Sequence, residues 1–247
     1  MFGRFKYKNE IFYGDVDNDK EHVTGRGECN RLIFKLSDIE VLPPVNPSKI
    51  ICVGLNYQDH ANELGLDIPN KPLIFLKPSS SIIGNCDKIV HPKTSNHIEY
   101  EAELGVVIGK KCKHVKADST NNVIAGYTCF NDVTARDLQK QDGQWTRAKS
   151  FDTFAPVGPF IATADDINPH NANIKCRVNG ITCQNSNTSN LIFGVPHLIE
   201  FISDIMTLQP GDIIATGTPP GVGKIHSGDI VEIEIEGIGT LSNEVVE

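Results

Sequence analysis

Positive charge is in short supply in this chain: 23 lysines and arginines face 31 aspartates and glutamates over 247 residues, a formal net charge of -8. With one tryptophan and no basic stripe, it suits a phosphate backbone poorly, so no nucleic-acid partner is expected. Apolar runs are short as well. None approaches the ~20 residues that span a bilayer, and the N-terminus MFGRFKYKNE lacks the apolar core of a signal peptide, so no membrane partner is expected either. The seven cysteines are odd in number and none falls in a C-x-x-C pair, which argues against a disulfide framework and against a zinc ribbon. Free thiols in a reducing compartment follow, and the cytoplasm is the expected location. Also missing are G-x-G-x-x-G, H-E-x-x-H and G-x-S-x-G, and Ile225 after Lys224 breaks the P-loop spacing.

What remains is an ordinary globular mixture, 39% hydrophobic and 22% charged. Residues 1–47 read as a small β-rich segment, with short apolar runs at Ile11–Tyr13 and Leu32–Leu36 and a proline-rich linker at 43–47. Residues 48–247 read as one larger domain. Strands are expected at Lys49–Gly54, Leu73–Leu76, Ile98–Ile108, Ala125–Phe130, Asp212–Thr216 and Ile230–Ile235. Helices are expected at Tyr57–Leu64 with Asn56 as cap, at Val133–Lys140 and at Val195–Met206, and Asn179-Gly180 signals a hairpin. Many strands and few helices indicate a β-rich α+β fold.

The segment Ile98–Ile108 holds the most chemistry. In a strand, residues two apart share a face, so Glu101 and Glu103 present two carboxylates side by side. Two anions held that close repel unless one takes a proton or a cation sits between them, and an all-oxygen set suits magnesium, calcium or manganese over zinc. Glu232, Glu234 and Glu236 alternate in the same way against Val231, Ile233 and Ile235, where a solvated sheet face is the simpler meaning. Asp132, after the Ala125–Phe130 strand, reads first as a helix cap. His60 and Glu63, three apart on a helix, share a face, and a carboxylate holding one imidazole nitrogen makes the other a better base. Lys77, fixed by Pro78, and Lys149 are candidates for neutralising a substrate carboxylate or enolate. The loop Thr216–Gly223 offers amides and hydroxyls, Thr218 among them, to an anionic oxygen. Arg136–Gln139 with Asp142–Trp145 reads as a polar loop, its tryptophan either lining a pocket or packing in the core.

Seven stretches in order, CVGLNYQDHANE, PLIFLKPSSSIIG, EYEAELGVVIGK, GYTCFNDVTARDLQ, DGQWTRAKSFDTFAPVGP, IFGVPHLIEFIS and PGDIIATGTPPGVG, resemble the fumarylacetoacetate hydrolase family and cover most of Lys49–Gly239. The resemblance implies a mixed β-roll or barrel-like core with flanking helices, a homodimer, and Mg²⁺ or Mn²⁺ held by Glu101, Glu103 and Asp132. It implies a His60–Glu63 dyad on a lid segment, Lys149 as an active-site lysine, and Lys77 and Thr218 as substrate contacts. The implied chemistry acts on a small 2-oxo acid through a metal-stabilised enolate. Acylpyruvate C–C hydrolysis is the preferred reading, because a His–Glu pair suits activating water. A 2-hydroxyhepta-2,4-diene-1,7-dioate isomerase or an oxaloacetate-type decarboxylase is the alternative. A non-catalytic, metal-dependent keto-acid-binding protein is the alternative outside enzymes.

Overall fold

The computed structural model describes residues 1–17 and 19–247. Among these, the main sheet has twelve strands, mostly antiparallel, with Ala155–Ala162, Ile124–Asn131 and Ala102–Ile108 as neighbours at its centre. These three are apolar almost throughout and buried along their whole length, apart from two half-buried residues at the start of Ile124–Asn131. Ala102–Ile108 pairs on its other side with Ile213–Ala215, which runs parallel to Ile50–Val53. Buried Asp212 fixes that parallel pair: it accepts the amides of Ser48 (3.0 Å), Lys49 (3.2 Å) and Gln209 (2.8 Å).

A five-stranded sheet packs on the first and contains Asn173–Val178, Ile181–Asn187, Ile230–Ile235 and Gly239–Val246. Its first two strands form the expected hairpin, with Asn179 at φ 52° and Gly180 at φ 77°, the positive values a type I′ turn requires. Val231, Ile233 and Ile235 point into the core while Glu232 and Glu234 reach Arg177, so the second glutamate alternation is a solvated face. A three-stranded sheet joins Ile98–Tyr100 to Thr134–Ala135 and Gly223–Ile225. The amphipathic Val195–Ile205 helix, opened by Pro196, buries Leu198, Ile199 and Ile202.

Residues 1–47 extend the main sheet through Phe2–Tyr7, which pairs with Ala155–Ala162, and build a small core around Phe5, Phe12, Val23 and Phe160. Val45, inside the proline-rich stretch, is buried in the central core. No helix among the described residues is long and apolar enough to cross a membrane.

Candidate metal centre and active site

The run expected as one strand over Ile98–Ile108 is two. Ile98–Tyr100 belongs to the small sheet and Ala102–Ile108 to the main one, and Glu101 is the residue at which the chain passes between them. Side-chain amides replace ladder partners at the break: Glu101 N–H donates to Asn131 Oδ1 (3.0 Å) and Ala102 N–H to Gln184 Oε1 (3.0 Å). Despite the interruption, the carboxylates of Glu101 and Glu103 converge.

Asp132 joins them. It lies just past Ile124–Asn131, and its amide donates to Glu101 O (2.9 Å). The helix-cap reading of Asp132 fails: the helix spans Arg136–Asp142, is preceded by the short Thr134–Ala135 strand, and has Ala135 at its cap. The Asp132 carboxylate instead accepts Lys77 Nζ on Oδ1 (2.5 Å) and Lys149 Nζ on Oδ2 (2.6 Å). Lys149 also donates to Glu101 Oε2 (2.9 Å) and lies 5.0 Å from the centre of the Phe75 ring. Lys77 departs from its expected place. It is buried against Asp132, its second contact is Val133 O (3.0 Å), and it is not among the residues that line the cavity.

The electrostatics distinguish the two glutamates. Burial pushes Glu101 up, but Lys149 and Arg136 outweigh it and hold the carboxyl down to about 2. Glu103 is raised well above the usual carboxylate range by burial, then by the charges of Asp132 and Glu101, and the Gly217 N–H (2.8 Å) offsets this only in part. Lys149 is raised, because Asp132 and Glu101 overcome the burial that would lower it. One oxygen from each of Glu101, Glu103 and Asp132 lies within 4.8 Å of the others, and all three side chains are buried. A buried trio of oxygen donors, one strained by its anionic neighbours, fits a hard divalent cation.

Glu101, Glu103 and Lys149 line one cavity of about 480 Å³ together with His60 and Thr218, and Asp132 stands behind them against Lys149. His60 comes from the Gln58–Leu64 helix, which ends at Gly65 in the left-handed region (φ 63°). His60 Nδ1 meets Glu63 Oε2 at 2.8 Å, and Glu63 Oε1 accepts Gly221 N–H (3.1 Å). Asn56 is not the cap of that helix. Its side chain instead ties Phe193 O (3.1 Å), Phe193 N (2.8 Å) and Thr216 O (2.7 Å) together, fixing the helix root to the glycine loop. Thr218 Oγ1 accepts from Gln184 Nε2 (2.8 Å), which leaves its hydroxyl proton to donate elsewhere.

Residues 49–246 match the family described as fumarylacetoacetate (FAA) hydrolase, C-terminal. The chain belongs to the fumarylacetoacetate hydrolase family. A mitochondrial oxaloacetate tautomerase of Rattus norvegicus is 48% identical over 220 residues, which cover 85% of this chain and 70% of that protein. The crystal structure of a 5-carboxymethyl-2-hydroxymuconate delta-isomerase from Mycobacterium smegmatis superposes with a TM-score of 0.91 at 44% identity, over 99% of this chain and 98% of that one. A maleylpyruvate hydrolase from a Sphingobium species, solved with manganese(II) and pyruvate, superposes with a TM-score of 0.83 at 30% identity, over 98% of each chain. These relatives are enzymes, and so is this member of the family. The reading as a non-catalytic binding protein falls on that ground.

Within the family fold, Arg136, Gln139 and Gln184, given no site role from the sequence, complete the site, and Trp145 takes the pocket-lining one of its two expected places. Arg136, inside the stretch read both as the Val133–Lys140 helix and as a polar loop, opens a helix: its Nε donates to Glu99 Oε2 (2.7 Å), and its Nη2 meets Glu101 Oε1. Gln139 accepts from Arg136 Nη1 (2.5 Å). Gln184 links the ligand strand to the Thr218 loop from a distant hairpin. Trp145 lines the cavity and stands edge-on to Phe75, ring centres 5.2 Å apart. An i, i+3 Arg–Gln pair on a helical register was the available signal for Arg136 and Gln139. Gln184 gave none, because its partners are 82 and 34 residues away.

Proposed function

We propose that this enzyme moves a proton at the carbon next to the 2-oxo group of a small 2-oxo acid, interconverting keto and enol forms or shifting a conjugated double bond. The observation that carries the reading is that His60, held by Glu63, lines the same cavity as Glu101 and Glu103 of the buried Glu101–Glu103–Asp132 cluster. The names of the more similar relatives favour proton transfer: the tautomerase and the delta-isomerase are 48% and 44% identical, the maleylpyruvate hydrolase 30%. Cleavage of an acylpyruvate is the second reading, favoured by the same His60–Glu63 pair acting on water.

Glu101, Glu103 and Asp132 would hold Mg²⁺ or Mn²⁺, and manganese in the Sphingobium hydrolase supports that choice. Bound there, the cation supplies stabilisation of the negative charge that develops on the 2-oxo oxygen, on the order of several kcal/mol. Glu63 fixes His60 with its Nδ1 proton on the carboxylate, so Nε2 is the basic nitrogen that removes and returns the proton. Lys149 has two of its three N–H groups on Glu101 and Asp132; the third is available to a substrate oxygen. Thr218 donates its hydroxyl to the substrate carboxylate. The apolar faces of Leu64, Leu66 and Phe75 around the cavity limit access of water. A homodimer in a reducing cytoplasm is part of the same proposal, and the seven free thiols support that compartment.

Proton NMR in D₂O tests the reading. With Mn²⁺ or Mg²⁺ present, the protein should exchange the C3 hydrogens of oxaloacetate or a related 2-oxo acid for deuterium faster than buffer does. Release of pyruvate from acylpyruvates without such exchange would transfer the assignment to the hydrolase reading.

A further inference from the structure

We propose that Asp59 is the positioning residue that sets His60 over the carboxylate cluster, by clasping the Gln58–Leu64 helix to the Ile181–Asn187 strand; the proposal rests on His60 being the base. Packing alone does not hold this helix. Of its seven residues only His60 and Ala61 are buried, it has no side-chain cap, and Leu64, Leu66 and Ile68 beyond its middle are about half exposed. A two-turn element so thinly covered needs polar fixings to keep one side chain in place, since an isolated helix of this length is unstable.

Two fixings exist. Glu63 reaches Gly221 on one side. On the other, Asp59 Oδ2 accepts Ser186 Oγ (2.5 Å) and Asn190 Nδ2 (3.2 Å), and Asn190 Nδ2 also donates to Ser186 Oγ (3.1 Å), closing a ring of three. Asp59 Oδ1 accepts the amide of His60 itself (3.0 Å), so the clasp acts on the backbone of the base.

The far end of the clasp matters more than its strength. Ser186 stands two residues beyond Gln184, hence on the same face of the strand. From that face Gln184 holds Ala102 N, between the two glutamate ligands, and Thr218 Oγ1 in the loop. A bulge at Cys183, where Cys176 pairs with Gln184 and Arg177 with Thr182, sets the phase of both residues just before they are used. One strand face therefore references the carboxylate strand, the glycine loop and the His60 helix to one another. Asp59 is the link that ties the base into that frame.

A double-mutant cycle tests this, with turnover followed by C3 exchange and Mn²⁺ affinity by calorimetry. Asp59→Ala should lower kcat at least tenfold, with KM and Mn²⁺ affinity within twofold, and Asp59→Asn should recover part of the rate, because its carbonyl still accepts Ser186. In the His60→Ala background, adding Asp59→Ala should slow the enzyme no further. Should Asp59→Ala not fold, Ser186→Ala, which deletes one hydroxyl, should show the same lack of additivity on a smaller kcat loss. An additive loss in the His60→Ala background, or an unchanged kcat in Asp59→Ala while His60→Ala is slow, overturns the proposal. Full activity of His60→Ala itself would instead overturn the reading of the base, and this proposal with it.

Discussion

Asp132→Ala eliminates turnover and destabilises the protein by about 3–5 kcal/mol, the cost of breaking a buried ion pair by removing one partner. Asp132 is the acceptor shared by two buried lysines, Lys77 on Oδ1 and Lys149 on Oδ2. Without it, Lys77 keeps only a carbonyl and Lys149 only Glu101. A chain of this size should lose roughly 10 °C in Tm. Asp132→Asn keeps the volume and one acceptor oxygen, so its Tm falls less. It still removes a ligand charge, and its Mn²⁺ affinity should drop as far as that of the alanine variant. Calorimetric melting and Mn²⁺ titration read the two effects separately. A variant that melts and binds Mn²⁺ like the parent would remove Asp132 from the centre of the site.

His60→Ala should cut kcat by roughly 10²–10⁴-fold, the usual contribution of a positioned general base. Its structural cost is small, because the side chain has one polar partner, Glu63, at the edge of a thinly packed helix. Metal binding should be untouched, since His60 contacts none of the three carboxylates. Glu63→Gln should fall between: the imidazole stays near its place but loses the charge that holds its tautomer. Exchange or turnover rates beside Mn²⁺ affinity separate this from the Asp132 case. Undiminished kcat in His60→Ala assigns the proton transfer to another group.

The strand alternations, the Asn179-Gly180 hairpin and the Val195–Ile205 helix were legible in the sequence because local periodicity and turn chemistry decide them. So was the Glu101–Glu103 pair, though not its setting. A continuous strand was the natural expectation, and the break at Glu101 comes from Asn131 and Gln184, which only tertiary contact brings near. Asp132 gave a cap signal that is chemically indistinguishable in one dimension from a buried ligand, and two lysines 55 and 17 residues away decide between them. Lys77 followed a strand and preceded a proline, as a rim residue would, yet its side chain turns inward from the end of an edge strand to Asp132 and Val133 O, partners 55 and 56 residues away. Asp59 adjoins His60 in sequence, and helical geometry points the two side chains in different directions. It does face away, toward Ser186, and that is how it acts on the helix.

The central claim is that Glu101, Glu103 and Asp132 grip one divalent cation at the cavity that His60 lines. Anomalous diffraction from crystals grown with Mn²⁺ tests it most directly. A single strong manganese peak among those three carboxylates, lost in Asp132→Asn, is the predicted result. Well-diffracting crystals with no anomalous density there, or with manganese bound elsewhere, would contradict it.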